Sequence, residues 1–438
     1  MRIVRCFFGR AGKRFLWTRN EPFTMISIAR LISLAGRLRD SEKDRLRVLK
    51  HFAQWKAAVE SLSPATPARK NLLLVRMDDI GDYLLFRNQL SIYRTSDRWA
   101  GNRITLLGNA SWRELFELLD ADTVDHVIWT EKNRYLEDPA YRESIWRQLR
   151  NGGFDTAIAV SCTRPLLLDD LCILAAAPIR RIGNTNTNVH ADWNRLSDSV
   201  YSELFQPPIR LMHEFHFNAA FAEWVCGHHY DGARPNIDFR PTARLLRGNY
   251  IVCCVGASIR SKRWPASRWI EFINKYRETG DCDVVVAGSG AAEIEVAQII
   301  ERASAVESVA GRTTLTEMLS WIANASAVIS NDTMTAHLGV CFDVPTVIIA
   351  NGVNYMRFAE YNGAGIKNVQ TLYPKAVVEK RKRYGDTSYA YSETVTADIA
   401  SISAAAALGA LHALLACSRA STGRAADPMR RDIRDFPV

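Results

Sequence analysis

Three short segments of this chain bring reactive side chains to places where apolar runs end. In Leu72–Phe86 (LLLVRMDDIGDYLLF) an apolar run meets Asp78-Asp79-Ile80-Gly81-Asp82 and then turns apolar again. Asp82 is ionised at neutral pH and can take a proton from a hydroxyl, while Gly81 permits a tight backbone path. The same aspartate also suits a helix cap, and Asp78 and Asp79 read as turn or supporting groups. In Val255–Trp269 (VGASIRSKRWPASRW) a run leaves through Gly256 and Ser258 and gathers Arg260, Lys262 and Arg263 before a helix. Cations beside free helix-terminal amides suit a diphosphate, although a solvated basic loop has the same composition. In Ala327–Ile349 the turn Asn331-Asp332-Thr333 precedes Met334 and His337; its hydroxyl and amides suit phosphate or sugar hydroxyls, whereas a lone His in an apolar helix usually packs.

Other patterns carry less. Gly288-Ser289-Gly290 follows an apolar run, but a lone G-x-G is a weak dinucleotide mark. Asp120-Ala121-Asp122 and Asp281-Cys282-Asp283 match the D-x-D of metal-dependent sugar transfer, a pattern that arises by chance in a chain 24% charged. H-E-x-x-H, P-loop and G-x-S-x-G motifs are missing, so protease, NTPase and hydrolase chemistries lack their parts. The nine cysteines form no C-x-x-C pair, which fits a reducing compartment; Cys253-Cys254 reads as two small buried hydrophobes.

The elements that must position these segments repeat. Apolar runs at Asn71–Met77, Arg103–Gly108, Val124–Thr130 and Phe154–Ser161 alternate with helical stretches, as in a parallel α/β sheet. The pattern restarts at Tyr250, Asp283, Ala327 and Thr346, after a stretch holding Pro235 and Pro241 that serves as an interdomain linker. This pattern gives two Rossmann-like domains facing a central cleft, with ligands at the carboxyl ends of the strands. Pro265 should open a helix with Trp269, Ile270, Ile273 and Tyr276 on one face, and Thr314 and Glu317 have capping-box spacing. The expected boundaries are a basic helical extension over 1–66, a first domain over 67–240, a second over 241–417 and a tail over 418–438. Ala400–Cys417 reads as a packed helix rather than a membrane span.

The charge is lopsided. Residues 1–70 hold sixteen Lys/Arg and five Asp/Glu, a net +11 against +9 for the whole chain, so the body is slightly acidic. Nucleic-acid binding, which needs a basic folded face, is excluded on that ground. A basic arm in which Arg2, Arg5, Arg10, Lys13 and Arg14 alternate with Phe7, Phe8, Phe15 and Trp17 suits an anionic membrane surface. The competing reading packs Ile28, Leu31, Ile32 and Leu38 of this extension onto the body.

Taken together, Gly81-Asp82, Lys262-Arg263-Trp264-Pro265 and Asn331-Asp332-Thr333-Met334-Thr335-Ala336-His337 resemble, in order and spacing, the marks of glycosyltransferase family 9, the ADP-heptose:lipopolysaccharide heptosyltransferases. Lesser echoes are Arg181-Ile182-Gly183, His213-Glu214 and Ala310-Gly311-Arg312-Thr313. Met334-Thr335 stands where the family usually shows Gly-Pro, so backbone approach to the donor differs. The resemblance spans Asn71 to Gly352 and implies an α/β GT-B fold and inverting, metal-independent transfer of a heptose or similar sugar from a nucleotide-diphosphate donor, ADP-linked, to a lipid-linked cell-surface glycan. No cofactor is implied. Asp82 would be the general base and Lys262 the cation on the leaving diphosphate. Gly256, Ser258, Arg260, Arg263, Glu293, Asn331, Asp332, Thr333, Met334 and His337 would lie on the donor side, Glu293 touching the ribose, with Gly81 and Asp79 on the acceptor side. The implied location is the cytoplasm, peripheral on the inner face of the cytoplasmic membrane. Three rivals stand beside this reading: a nucleotide-sugar epimerase, which keeps the fold and turns over donor without acceptor; a degenerate binding member, against which Asp82 and Lys262 speak; and a dehydrogenase, which rests on Gly288-Ser289-Gly290 alone and would bind NAD.

Overall fold

The computed structural model describes residues 42–64, 66–186, 191–207, 212–241, 249–361, 365–383 and 397–422. The basic arm, its apolar stripe at Ile28–Leu38 and residues 423–438 of the tail lie outside the described residues. Two six-stranded parallel sheets form the body. The first runs β3-β2-β1-β4-β5-β6, with β1 Asn71–Arg76, β2 Arg103–Asn109, β3 His126–Thr130, β4 Thr156–Ala159, β5 Arg180–Asn184 and β6 Glu203–Phe205. The second runs β12-β11-β10-β7-β8-β9, with β7 Tyr250–Cys254, β8 Asp283–Ala287, β9 Glu307–Ser308, β10 Ala327–Asn331, β11 Thr346–Ile349 and β12 Val369–Leu372. Counted from its own first strand, each sheet has the doubly wound order 3-2-1-4-5-6, which opens a crevice between the first and fourth strands.

The apolar runs become strands because both faces are covered. Within β7, Ile251 and Cys253 enter the layer behind the second sheet, while Tyr250, Val252 and Cys254 enter the layer shared with the first sheet. The two adjacent cysteines thus end on opposite faces, both buried, as period-2 alternation requires. Four strands escaped the sequence reading: β5, β6, β9 and β12. They lie toward the sheet edges and are short or polar, β5 beginning Arg180-Arg181, so hydrophobic alternation is weak there.

Eight of the helices cover the sheets or carry residues of the site: α1 Glu42–Glu60, α2 Ile80–Phe86, α3 Glu214–Cys226, α4 Ala266–Thr279, α5 Ala291–Ser304, α6 Leu315–Ala323, α7 Met334–Cys341 and α8 Ala404–Thr422. In α4, Trp269, Ile273 and Tyr276 are buried as the spacing predicts; Phe272 joins them, Ile270 is partly exposed, and Pro265 is the N-cap residue rather than first in the helix. The capping box of α6 forms as expected, Thr314 Oγ1 accepting from the Glu317 amide and the Glu317 carboxylate from the Thr314 amide. The helix expected over Ala400–Cys417 is α8; it starts at Ala404, runs on to Thr422 and packs Ala404, Ala407 and Leu411 behind the second sheet. No helix among the described residues is long and apolar enough to cross a membrane.

α1 is the described part of the N-terminal extension, and it docks on the first unit. Val48, Phe52, Trp55 and Val59, at spacings of four, three and four, form its buried stripe. Trp55 meets Tyr135 and Trp146 edge-on and carries the Arg142 guanidinium 3.7 Å from its ring centroid. Trp55→Ala should destabilise the first unit by about 3–5 kcal/mol, because it removes a buried indole and the face on which Arg142 rests. Denaturant unfolding checks this; a midpoint equal to wild type would mean that α1 only lies on the surface.

Candidate active site

All three reactive segments open at the carboxyl ends of the strands that flank the two crevices: β1 leads into α2, β7 into the turn Arg260–Lys262, and β10 into α7. The first unit supplies a knot of charge. Arg76, the last residue of β1, is fully buried and spreads its guanidinium over Asp78 Oδ1 (3.0 Å from Nε), the Val160 carbonyl (3.1 Å), Asn218 Oδ1 (3.1 Å), the Asp82 carbonyl (3.1 Å) and Glu214 Oε1 (3.2 Å). Asp82 sits in the first turn of α2, while the capping position belongs to Asp79. The cap reading of Asp82 is therefore set aside: its side chain, 20% exposed, points to the knot and stands 3.9 Å from Arg357.

Burial pushes the Asp82 carboxyl above its ordinary pKa, and the neighbouring carboxylates Glu214 and Asp79 push the same way; Arg357 and Arg76 pull it back. Glu214 shifts oppositely. Its burial is outweighed by Arg357 and Arg76, both hydrogen-bonded to it, so it stays ionised. Oxygens of Asp78, Asp82 and Glu214 lie within 4.8 Å of one another, a spacing that could suit a cation. Arg76 and Arg357 stand among these three carboxyls and offset part of their charge, which ties the cluster into an ion-pair network.

The second unit supplies the cation. Lys262 Nζ lies 2.6 Å from Asp332 Oδ2, and both side chains are largely buried. Beside them Ser330, Thr333 and Thr335 share a hydroxyl cluster with contacts of 2.8–3.3 Å at the start of α7. Arg263 donates to the Ala257 carbonyl, and Ser258 and Arg260 stand exposed at the rim.

Several expected site residues have structural partners instead. Asn331 is fully buried: its amide nitrogen donates to the Val255 and Gly256 carbonyls and its oxygen accepts from the Trp264 amide, so it braces the turn after β7 and has no face toward a donor. Glu293 Oε2 accepts from the Ser289 and Gly290 amides at 2.8 and 3.1 Å, which holds the Gly288–Gly290 turn. A Cβ on Gly256 would lie 2.2 Å from that carboxyl, so Gly256 is required for its close approach. His337 is buried, its Nδ1 2.6 Å from the Tyr361 hydroxyl, and burial lowers its pKa to about 4, leaving a neutral packing residue. Gly81 lies within α2 rather than in the turn before it; a Cβ there would stand 3.1 Å from His337 Cδ2 and 4.0 Å from Met334 Cα. Its smallness lets α2 of the first unit touch α7 of the second. Asp79, expected on the acceptor side, is mostly exposed and pairs with Lys132 at 2.7 Å.

The contact of Gly81 with Met334 and His337 packs α2, which carries Asp82, against α7, which begins two residues after Asp332 of the Lys262–Asp332 pair. Two D-x-D matches are removed from this place: Asp120 is buried in a pair with Arg87, and Asp281 and Asp283 are exposed at the opposite end of β8. Arg76 and Arg357 escaped the sequence reading. An arginine interrupting the buried run Leu72–Met77 was a signal for the first; Arg357 lies in a loop with no periodic pattern and had none.

Residues 203–386, less than half of the chain, match the family model described as glycosyltransferase family 9 (heptosyltransferase). No curated protein matches the chain. Among solved structures, the chain is similar to a family 9 glycosyl transferase from Veillonella parvula (TM-score 0.59, 15% identity, 81% of this chain and 99% of that one). It is also similar to E. coli heptosyltransferase WaaC with ADP (0.58, 16%, 78% and 99%) and to E. coli ADP-heptose lps heptosyltransferase II (0.53, 16%, 80% and 99%). At these identities the likeness establishes a shared two-sheet GT-B architecture.

Proposed function

From the premise that the chain carries a glycosyltransferase family 9 (heptosyltransferase) domain and is a glycosyltransferase, we propose that it transfers a heptose or similar sugar from an ADP-linked donor to a lipopolysaccharide-type acceptor with inversion. The observation that supports this reading is the packing at Gly81, where α2, the helix that carries Asp82 on one unit, meets the start of α7 on the other, just after Asp332 and its partner Lys262. Asp82 takes the proton of the acceptor hydroxyl as that oxygen attacks the anomeric carbon. Lys262, the hydroxyls of Thr333 and its neighbours and the free amides at the start of α7 stabilise the charge growing on the departing diphosphate. Base and cation on opposite walls suit one in-line displacement. A positive side chain in the leaving-group position performs the neutralisation that a divalent ion performs elsewhere, so EDTA should leave turnover unchanged.

In this reading the acceptor domain spans 67–240 and the donor domain 241–417. The basic extension, residues 1 to about 60, holds the enzyme, as a cytoplasmic peripheral protein, on the anionic inner face of the membrane, where a lipid-linked acceptor is presented; α1 is the part of it that docks on the body. The donor is tested by a thermal-shift panel of ADP-, GDP-, UDP- and dTDP-linked sugars. A ligand at a hundred times its Kd should stabilise the folded chain by about 2.7 kcal/mol. ADP-sugars should raise the melting temperature and the others should not; equal shifts from all four would remove the ADP assignment, and none from any would remove the donor site.

A further inference from the structure

We propose that Arg357 is a positioning residue: from the second unit it keeps Asp82 ionised, so that Asp82 can act as a base only while the two units are engaged. This deepens the transfer reading and rests on it. Arg357 lies in the loop between β11 and β12, and its guanidinium, resting over the neighbouring Phe358 ring, reaches across to the first unit. Nε donates to Glu214 Oε2 at 2.8 Å, one terminal nitrogen donates to Thr163 Oγ1 at 3.1 Å, and the other stands 3.9 Å from Asp82 Oδ1. The backbone repeats the link, the Glu214 amide donating to the Arg357 carbonyl at 2.7 Å, and His213 Nε2 lying 2.8 Å from the Phe358 carbonyl. The loop is thus latched to the start of α3 at three points.

The charges facing Asp82 explain why the latch matters. Among the described residues, Glu214 and Asp78 on the floor and Asp79 on its own turn are carboxyls; Arg76 and Arg357 are the cations, with Lys132 engaged by Asp79. Arg76 is distributed over Asp78, Glu214 and three neutral acceptors, and meets Asp82 through its carbonyl. Arg357 is the cation that reaches the Asp82 carboxylate itself. Separation of the sheets would carry Arg357 away and leave Asp82 beside Glu214 and Asp78 with less compensation, which favours its protonated form. An open cleft would then hold an idle base, and engagement would both assemble the site and charge it.

The test reads Asp82 directly in the full-length protein without substrate, by carbon-13 NMR of labelled Asp carboxyls, the resonance being assigned by its loss in Asp82→Asn. Arg357→Gln should raise the Asp82 titration midpoint by about one pH unit or more, tenfold in proton affinity. Arg357→Lys should largely retain the wild-type midpoint. Glu214→Gln should lower the midpoint, and the double variant should return toward wild type. An unmoved Asp82 midpoint in folded Arg357→Gln overturns the proposal. If Arg357→Gln does not fold, Glu214→Gln decides: no downward shift means that the network does not set Asp82. Because the measurement uses no donor or acceptor, shifted midpoints with no transfer activity would refute the transfer reading and leave this coupling standing.

Discussion

Asp82→Asn is expected to lower the rate of transfer by roughly 10²- to 10⁴-fold, the usual contribution of a general base, while leaving donor affinity near that of wild type. Asn matches the shape of the carboxylate and cannot take the proton, and the residues that would hold the donor lie on the other unit. Stability should be unharmed. Because burial raises the folded pKa of Asp82, the folded chain takes up the proton more readily than the unfolded chain does, and the contribution to stability is present at low pH and lost as pH rises through the raised value. A neutral side chain at this position therefore costs nothing at neutral pH. The same shift places the acid limb of the wild-type rate profile above the ordinary carboxylate range, with activity rising as pH rises through the Asp82 pKa. Near wild-type turnover in Asp82→Asn would leave this aspartate without a role in proton transfer.

The second large effect is expected at Lys262. Lys262→Ala removes the cation opposite the leaving group and strands the nearly inaccessible Asp332 carboxylate. Two consequences can be separated. Loss of one partner of a buried pair costs about 3–5 kcal/mol in stability, because the remaining charge is uncompensated. Loss of a charge aimed at the departing diphosphate slows transfer by roughly 10²- to 10³-fold, as removal of one preorganised stabilising group does in other sites. Adding Asp332→Asn to Lys262→Ala should restore much of the stability and none of the rate. If the double variant recovered both, Lys262 would be no more than the counter-ion of Asp332.

Local patterns in the chain were sufficient for the two-sheet body. The buried runs at Leu72, Tyr250 and Ala327, the glycine and aspartate that follow the first, and the capping pair Thr314 and Glu317 each depend on residues a few positions apart, so their structural meaning is present in the linear order. The same holds for Lys262 and Asp332 as members of one wall, since each lies in the connection that leaves the carboxyl end of a strand of the second sheet. What the linear order left undecided depends on contacts between distant segments. Gly81 read as a turn glycine, and proved to be the place where α2 meets His337, 256 positions away in the numbering. Asn331 and Glu293 read as donor contacts; Asn331 is taken up by backbone groups of the turn after β7, and Glu293 Oε2 by the Ser289 and Gly290 amides, uses that composition cannot reveal because the same side chains serve either purpose. Arg357 is the plainest case. It sits in an irregular loop of the second unit, and its partners Glu214 and Asp82 belong to the first. Type and spacing place a carboxylate at the end of a strand; whether that carboxylate carries a charge is decided by which cations the packed sheets bring within 4 Å of it, and that is a property of the tertiary structure alone.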